Sequence, residues 1–382
     1  GNSHSCALKD GGAWCWGSNY STAPVAVSGI ASGVTAVSAG SSHTCALRDG
    51  GILCWGWNAY GQLGDSSTTD SSVPVAVPSL GNGVVAISGG VYHTCALKDG
   101  GVWCWGRNTY GQLGNDSTTD SPVPVAVSGL ASGVSAISAG QEHTCALKDG
   151  GAWCWGRNVF AELGNGSTVG PQLCGIDACS MTPVAVSGFG SGVSAISVGV
   201  IHTCALKDGA VWCWGWNDHG QLGDSSIAIG SAVPVPVPAM TSGVSAISAG
   251  GLHTCALKDG GVWCWGYNAA GELGNDSTSD SATPVSPSAL SSGISAISAG
   301  YHHTCALAHG AASCWGFNIS GQLGDCTTIN RTTPVAVVFG QLNTDAANTA
   351  VNRPGADAIG DACDDDADGD GYTNVQEPAL GK

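Results

Sequence analysis

The chain has 382 residues, of which 60 are glycine, 14 are tryptophan and only 10% are charged. Its net charge of −17 opposes binding to a phosphate backbone or to an anionic membrane surface, so we expect no nucleic-acid partner. No apolar run approaches the roughly 20 residues that a membrane-spanning helix needs. Because no segment shows a sustained apolar period of 3.6 residues, the sequence predicts a soluble, all-β protein.

Cysteine usage indicates the compartment. The 18 cysteines are even in number and regular in spacing, which is typical of proteins that fold in an oxidising environment. We therefore expect a secreted, extracellular or cell-surface protein. Gly1 is not a methionine and no signal peptide is visible, which fits either a processed chain or a fragment of a longer one.

Self-similarity dominates the chain, with a period of about 50 residues that is typical of propellers and arrays. The element H-[S/T]-C-A-L occurs seven times, beginning at His4, His43, His93, His143, His202, His253 and His303. The first interval is short because it lacks a G-Q-L-G-D-x-S-T loop. The fourth is long because of an insertion around Cys174 and Cys179.

Each repeat offers four short strand candidates, V-S-A-I-S, H-T-C-A-L, V-W-C-W-G and P-V-A-V, separated by turn-forming residues. Four short antiparallel strands per repeat make one propeller blade. The sequence thus predicts a seven-bladed β-propeller over residues 1–340, followed by a linker and tail over residues 341–382.

The central hairpin of each repeat can be put in register. Asp99-Gly100 is a two-residue type I′ turn signal, which pairs Lys98 with Gly101 and places Cys95 opposite Cys104. The cysteines then occupy a non-hydrogen-bonded pair, where a bridge is geometrically possible. The same nine-residue offset predicts seven cross-strand disulfides: Cys6–Cys15, Cys45–Cys54, Cys95–Cys104, Cys145–Cys154, Cys204–Cys213, Cys255–Cys264 and Cys305–Cys314.

Both faces of this hairpin are apolar, so each blade needs a neighbour on either side. We expect one recurring tryptophan per blade to form the core between blades: Trp16, Trp55, Trp105, Trp155, Trp214, Trp265 and Trp315. The less regular Trp57 and Trp216 are candidates for a sugar-binding surface. The seven recurring histidines form a ring; we favour structural hydrogen bonding, for instance to a carbonyl of the next blade, over a metal site or proton relay.

The units H-T-C-A-L-K-D-G-G-V-W-C-W-G-x-N-x-x-G-Q-L-G resemble the repeats of the regulator of chromosome condensation family, over roughly residues 1 to 340. The resemblance implies a seven-bladed propeller. It is less specific for function, since one scaffold serves unrelated roles. The founding nuclear member is a nucleotide exchange factor that binds chromatin, whereas a secreted relative inhibits a β-lactamase. The acidic charge and the hairpin cysteines of this chain suit an intracellular role poorly.

The strongest chemical motif lies in the tail, where D-x-D-x-D-G-x5-E matches a calcium-binding loop. It supplies oxygen ligands at positions 1, 3, 5, 7, 9 and 12: Asp366, Asp368, Asp370, the Tyr372 carbonyl, Asn374 and Glu377. The preceding acidic segment is similar to thrombospondin type 3 calcium-binding repeats, and Asp364 and Asp365 are further possible ligands. We therefore expect calcium as the cofactor.

Ring closure is an open question in the sequence. Only six V-x-A-[I/V]-S strands occur, starting at Val34, Val84, Val134, Val193, Val244 and Ile294. The seventh can come from residues upstream of Gly1, from residues 355–360, which echo the motif, or from another copy of the chain; closure by residues 355–360 is slightly favoured. Besides a short Cys174–Cys179 bridge, a Cys326–Cys363 bond would pin that segment at the seam between the last and first blades.

The range of possible functions is limited mainly by the motifs that the sequence lacks. The sequence contains no G-x-S-x-G elbow, no H-E-x-x-H and no phosphate-binding glycine loop, so we expect a non-enzymatic protein. The first hypothesis is an extracellular adhesive or assembly module that binds a protein partner or copies of itself, with a fibre as one form of the assembly. The alternative is a soluble binder, either a protein inhibitor or a lectin-like carbohydrate-binding propeller, with the insertion between Leu173 and Met181 as its contact point.

Overall fold

A computed structural model describes residues 1–339, which form seven antiparallel sheets arranged as the blades of a propeller. The six inner strands are β4 (Val34–Ala39), β8 (Val84–Gly89), β12 (Val134–Ala139), β17 (Val193–Val198), β21 (Val244–Ala249) and β25 (Ile294–Ala299). The second strands are β1 (His4–Lys9), β5 (His43–Arg48), β9 (His93–Lys98), β13 (His143–Lys148), β18 (His202–Lys207), β22 (His253–Lys258) and β26 (His303–Ala308).

The remaining strands complete each blade toward its outer edge. The third strands are β2 (Gly12–Gly17), β6 (Gly51–Gly56), β10 (Gly101–Gly106), β14 (Gly151–Arg157), β19 (Ala210–Trp216), β23 (Gly261–Gly266) and β27 (Ala311–Gly316). The outer strands are β3 (Val25–Ala26), β7 (Ser71–Ala76), β11 (Ser121–Ala126), β16 (Asp177–Ala185), β20 (Gly230–Pro236), β24 (Ser281–Val285) and β28 (Arg331–Ala336). We number the blades 1 to 7 in chain order.

The predicted hairpin register is confirmed. In blade 3, Lys98 pairs with Gly101 and Cys95 with Cys104. The turn residues Asp99 and Gly100 have φ values of 52° and 74°, as a type I′ turn requires. In all seven hairpins the Cα atoms of the cysteine pair lie 4.1 Å apart and the sulfur atoms lie at disulfide distance. Cys174 and Cys179 form an eighth such pair.

Packing between blades follows from the two apolar faces of the hairpin. The disulfide face of one blade, with Cys95, Leu97 and Cys104, packs against Ala146 and Trp155 of the next blade. The seven recurring tryptophans are buried, which confirms the predicted core between blades. The inner strands line a central channel with a cavity of about 270 Å³.

Blades 7 and 1 are neighbours, so the ring closes within the described part of the chain. The Trp16 indole donates to the Gln322 carbonyl at 2.9 Å, and Ser5 Oγ lies 2.8 Å from His303 Nε2. The six predicted inner strands begin at the predicted residues. Two blades depart from four strands, because β15 (Gln172–Cys174) adds a fifth to blade 4 and residues 1–339 supply only three to blade 1. Residues 355–360, offered above as the closing strand, lie outside the described residues.

Within residues 1–339, no helix has the length and apolarity needed to cross a membrane.

Candidate functional site: the variable face

The histidine ring is structural, as favoured above, but its partner differs from the expected carbonyl. His43 Nε2 lies 2.8 Å from Thr94 Oγ1 of the next blade, and that hydroxyl donates to the Gln62 carbonyl at 2.9 Å. Since the hydroxyl has one proton and the carbonyl only accepts, the histidine must donate from Nε2–H. Such a contact links each blade to the next around all seven boundaries, with Ser5 in place of threonine at the last.

Burial keeps these imidazoles neutral. Desolvation lowers the pKa of His43 and His253 to about 4 and that of His93, His143 and His202 to about 3. A neutral histidine with Nε2–H already committed leaves only Nδ1 to bind a metal. Among the described residues, no group of three or more His, Cys, Asp or Glu side chains could hold one. The predicted calcium ligands at positions 366–377 lie outside the described residues.

In blades 2 to 7 a loop follows the third strand and packs at one end of the blade. Asn58 is fully buried, accepts the Leu63 amide at 2.9 Å and donates to the Thr69 carbonyl at 3.0 Å. The following blade then donates its tryptophan N–H to the Gln62 carbonyl, from Trp105 at 2.8 Å. In these loops Asp65 and Asp224 accept hydrogen bonds from the backbone N–H groups two residues further on, as aspartates in turns do.

Residues at this loop end vary from blade to blade, although the blades themselves are nearly identical. One variable position precedes the loop asparagine: Ser18, Trp57, Arg107, Arg157, Trp216, Tyr267 and Phe317. A second precedes the ring histidine: Ser3, Ser42, Tyr92, Glu142, Ile201, Leu252 and His302. A backbone hydrogen bond joins the two positions in every blade, as from the Arg107 amide to the Tyr92 carbonyl. We call this surface, together with residues two beyond the loop asparagine such as Tyr60, the variable face.

Blades 2 and 3 contribute an aromatic cluster to the variable face. The Trp57 ring centroid lies 5.4 Å from that of Tyr60 and 5.7 Å from that of Tyr92. The Arg107 guanidinium lies over both tyrosine rings, 5.3 Å from the centroid of Tyr60 and 5.2 Å from that of Tyr92. These half-buried side chains present flat, rigid contact area with one cation.

Blades 3 to 5 continue the surface with a charged centre. Glu142 lies between two guanidinium groups, 3.4 Å from Arg107 and 3.6 Å from Arg157. Burial raises the pKa of the Glu142 carboxyl, and the two arginines counteract this effect. Arg157 also lies over Phe160, whose ring centroid is 4.7 Å from that of Trp216.

Blades 5 to 7 supply histidine and tyrosine instead. His219 Nδ1 lies 2.7 Å from Asp280 Oδ2, and its ring contacts Tyr267 at 4.9 Å. Tyr267 contacts His302, which lies beside Phe317. The variable face thus carries aromatic, cationic and acidic groups that differ from one blade to the next.

Two predicted contact regions occupy the surface. Trp57 and Trp216, singled out as sugar-binding candidates, are both half-buried members of the variable face. The insertion of blade 4 exposes three apolar side chains, Val169, Leu173 and Ile176, of which Ile176 is 96% exposed. Sequence reasoning otherwise missed the variable face, whose signal was the failure of these positions to repeat.

Comparison with known proteins identifies the repeat. The model of the regulator of chromosome condensation (RCC1) repeat matches residues 49–97, 99–147, 149–206, 208–257 and 259–307. A second model of the same repeat matches five shorter stretches between residues 34 and 272.

Curated relatives match over short stretches only. The chain is similar to the mitochondrial RCC1 domain-containing protein RUG3 of Arabidopsis thaliana, with 38% identity over 88 residues, which are 22% of this chain and 20% of that protein. It is 37% identical over 112 residues to the human E3 ubiquitin-protein ligase HERC2, covering 28% of this chain and 2% of that protein. It is 33% identical over 94 residues to the ultraviolet-B receptor UVR8 of Arabidopsis thaliana, covering 24% and 21%.

Solved structures match over most of the propeller. Yeast RCC1 (Prp20), solved with bound Kap60, gives a TM-score of 0.74 at 22% identity, covering 85% of this chain and 83% of that chain. Human WBSCR16 gives a TM-score of 0.72 at 22% identity, covering 83% and 84%. At these identities the likeness shows the fold.

Proposed function

Because the chain belongs to the regulator of chromosome condensation (RCC1) repeat family, we propose that it is an extracellular, non-enzymatic propeller that binds a protein partner through its variable face. The observation that carries this proposal is the concentration of non-repeating aromatic and charged side chains at one end of otherwise repeating blades. Rigid aromatic groups and arginine are the residue types enriched where proteins bind one another. Yeast RCC1, which has this fold, has been solved in complex with another protein, Kap60.

The variable face favours one specific partner over a lattice of equivalent contacts. High identity between repeats would by itself suit polymerisation, because similar loops around the ring could make equivalent contacts. That identity belongs to the strands and their packing, however, whereas the variable face carries Arg107 and Arg157 on one side and Tyr267 and His302 on the other. A partner that matches one side does not match the other.

Partner capture with matched variants tests the proposal. Purified, oxidised full chain would be incubated with the extracellular fraction of the producing cells. The face variant Arg107→Ala/Arg157→Ala would be compared with Lys98→Ala/Lys148→Ala, which removes the same charge at the opposite, hairpin end. We expect a partner that the wild type and the lysine variant recover and the arginine variant does not. Equal recovery by both variants, with both folded by thermal melting, would reject the variable face as the binding surface.

Assembly with copies of the same chain is the second candidate function. One observation favours it: β1 pairs only with β2 within the described residues, and no described strand covers its inner edge. Such an edge can accept a strand from another chain, which would link copies into fibres. Electron microscopy of natively secreted material discriminates the candidates, because regular polymers support assembly and isolated discs support the partner-binding function.

We also propose that the tail binds calcium through Asp366, Asp368, Asp370, Tyr372, Asn374 and Glu377. The support is the sequence pattern, which fills each ligand position of a calcium loop. Calorimetric titration of the full chain with calcium chloride should show binding, which Asp366→Ala/Glu377→Ala should remove. Absence of heat at millimolar calcium would contradict the site.

A further inference from the structure

Between blades 1 and 2 the variable face contains a cavity of about 690 Å³. This volume lies within the range of about 300–1,000 Å³ that is usual for small-molecule sites. Its walls come from both blades and from Tyr92 of blade 3.

The cavity occupies the place of a loop. At the other six boundaries the preceding blade inserts a [G/A]-[Q/E]-L-G loop, whose polar residue is at most 1% exposed: Gln62, Gln112, Glu162, Gln221, Glu272 and Gln322. Blade 1 lacks this loop, and its Asn19 is exposed where the equivalent Asn58 is fully buried. Within residues 1–339, this space is therefore left open at one boundary and filled by the loop at the other six.

The Tyr20 side chain replaces one interaction of the missing loop, the acceptor for the boundary tryptophan. The Trp55 indole donates to the Tyr20 hydroxyl at 2.6 Å, whereas the other boundary tryptophans donate to a loop carbonyl. Tyr20 thus satisfies the buried N–H without filling the space, so the cavity is compatible with a stable core.

The lining combines aromatic rings with hydroxyl and amide groups. Trp57 and Tyr92 form an aromatic wall, and Asn2, Asn19, Ser18 and several further serines provide polar atoms. Asp70 Oδ1 accepts a hydrogen bond from the backbone N–H of Asn58 at 2.8 Å, and Asp70 Oδ2 has no partner among the described residues. A ligand with an apolar ring face and many hydroxyls matches this arrangement, because each of these groups donates or accepts hydrogen bonds.

The charges around the cavity argue against anionic and cationic ligands. Asp70 is the single ionised residue of the lining, since His4 and His43 are neutral: desolvation lowers the pKa of His43 to about 4 and that of His4 well below its usual value. An anion would find no cation in the cavity. An organic cation would be attracted by Asp70, but it would be repelled by Arg107, which already lies over the Tyr92 ring.

We propose that this cavity binds a neutral saccharide, with the sugar ring against Trp57 and its hydroxyls on Asp70 and the neighbouring amides. The site is independent of the proposed protein partner except that the two share the variable-face residues Ser18, Ser42, Trp57 and Tyr92.

Ligand-observed NMR on the full, oxidised chain tests the proposal. The probes are methyl glycosides of glucose, galactose, mannose and N-acetylglucosamine, with glucuronate and choline as the charged comparison, each up to about 10 mM, where weak millimolar binding is detected. Reducing sugars tested beside their methyl glycosides distinguish a free sugar from a glycan-linked one. We expect saturation transfer to at least one neutral glycoside and none to either charged probe.

Two variants locate the site and one controls for it. Trp57→Ala removes the stacking wall, and Ser18→Arg places in the cavity the residue that blade 3 carries at the same position, Arg107. Each should weaken binding about tenfold or more, which corresponds to about 1.4 kcal/mol. Lys98→Ala, at the opposite, hairpin end of blade 3, should leave binding unchanged.

Three outcomes would overturn the proposal: no neutral glycoside binds, choline binds instead, or binding survives both Trp57→Ala and Ser18→Arg. None of these depends on the protein partner, because that function is tested at Arg107 and Arg157. The Ser18→Arg variant keeps every buried contact of the core, so its folding can be verified by thermal melting.

Discussion

Blade 1 and the six blades that follow it share the same hairpin but differ in what surrounds it. Leu8 of blade 1 is 42% exposed, whereas the leucine at the same position in blades 2 to 6 is at most 4% exposed. Leu307 of blade 7, which faces blade 1, is 40% exposed. Blade 1 has neither an inner strand within the described residues nor the loop of the other blades, and both of its neighbours are affected.

This difference shows which contacts belong to the hairpin and which belong to the ring. The cysteine register and the histidine contacts are kept in blade 1, because they depend only on the hairpin and the adjacent blade. Burial of the leucine is lost because it depends on an inner strand. Changes at the histidines, the leucines and the cysteines each test this division.

Acid should destabilise the whole ring. Desolvation lowers the folded-state pKa of five ring histidines, His43, His93, His143, His202 and His253, to about 3 to 4, and that of the other two well below the unfolded value of about 6.5. Their contribution to stability is therefore complete above pH 6.5 and is lost as the pH falls from there toward 3, since the unfolded chain binds more protons. Thermal melting between pH 7.5 and 4.5 should show a steep fall in Tm. His93→Gln should reduce that slope by about one proton, and a Tm independent of pH would contradict the interpretation.

Leucine truncation should separate blade 1 from the interior blades. Leu147→Ala, at a site 1% exposed in blade 4, should cost about 2–5 kcal/mol through lost burial and the cavity left behind. Leu8→Ala, at the equivalent exposed site, should cost less than about 1 kcal/mol. Denaturant unfolding measures both. Equal costs would show that an inner strand covers Leu8 in solution, supplied from outside residues 1–339.

Removing a disulfide should give a smaller and graded effect. Each hairpin bridge closes a short loop, for which the chain-entropy model gives roughly 2–3 kcal/mol. We expect peptide mapping without reduction to recover all seven hairpins as linked species. Cys95→Ala/Cys104→Ala should destabilise more than Cys6→Ala/Cys15→Ala, because Cys95 is fully buried and Cys6 is partly exposed. Free thiols at several of these positions would defeat the extracellular assignment as well.

Most of the fold could be predicted from the sequence because the same hairpin motif, with the same cysteine spacing, occurs seven times. The Asp99-Gly100 turn sets the register, and the register places Cys95 against Cys104. The predicted partner of the histidines, a backbone carbonyl, was wrong. A threonine hydroxyl of the next blade lies between the histidine and the carbonyl, and its position depends on how the blades stack. The cavity between blades 1 and 2 was not predictable, since the missing loop was visible but the position of Tyr20 in its place depends on three-dimensional packing.

Tyr20→Phe should give the smallest loss of stability. It tests whether the Tyr20 hydroxyl replaces the loop carbonyl that accepts the tryptophan N–H at the other boundaries. The change keeps the ring but removes the acceptor of the Trp55 N–H. A buried donor without a partner costs about 1–3 kcal/mol, and we expect about 1 kcal/mol because water can reach the adjacent cavity. Tyr60→Phe is the matched control, since the Tyr60 hydroxyl makes no hydrogen bond among the described residues, and it should change stability by less than about 0.5 kcal/mol. Trp105 offers no equivalent test, because its acceptor is the Gln62 backbone carbonyl, which side-chain substitution cannot remove. If Tyr20→Phe is as neutral as Tyr60→Phe, water replaces the hydroxyl fully, and the boundary between blades 1 and 2 does not depend on Tyr20.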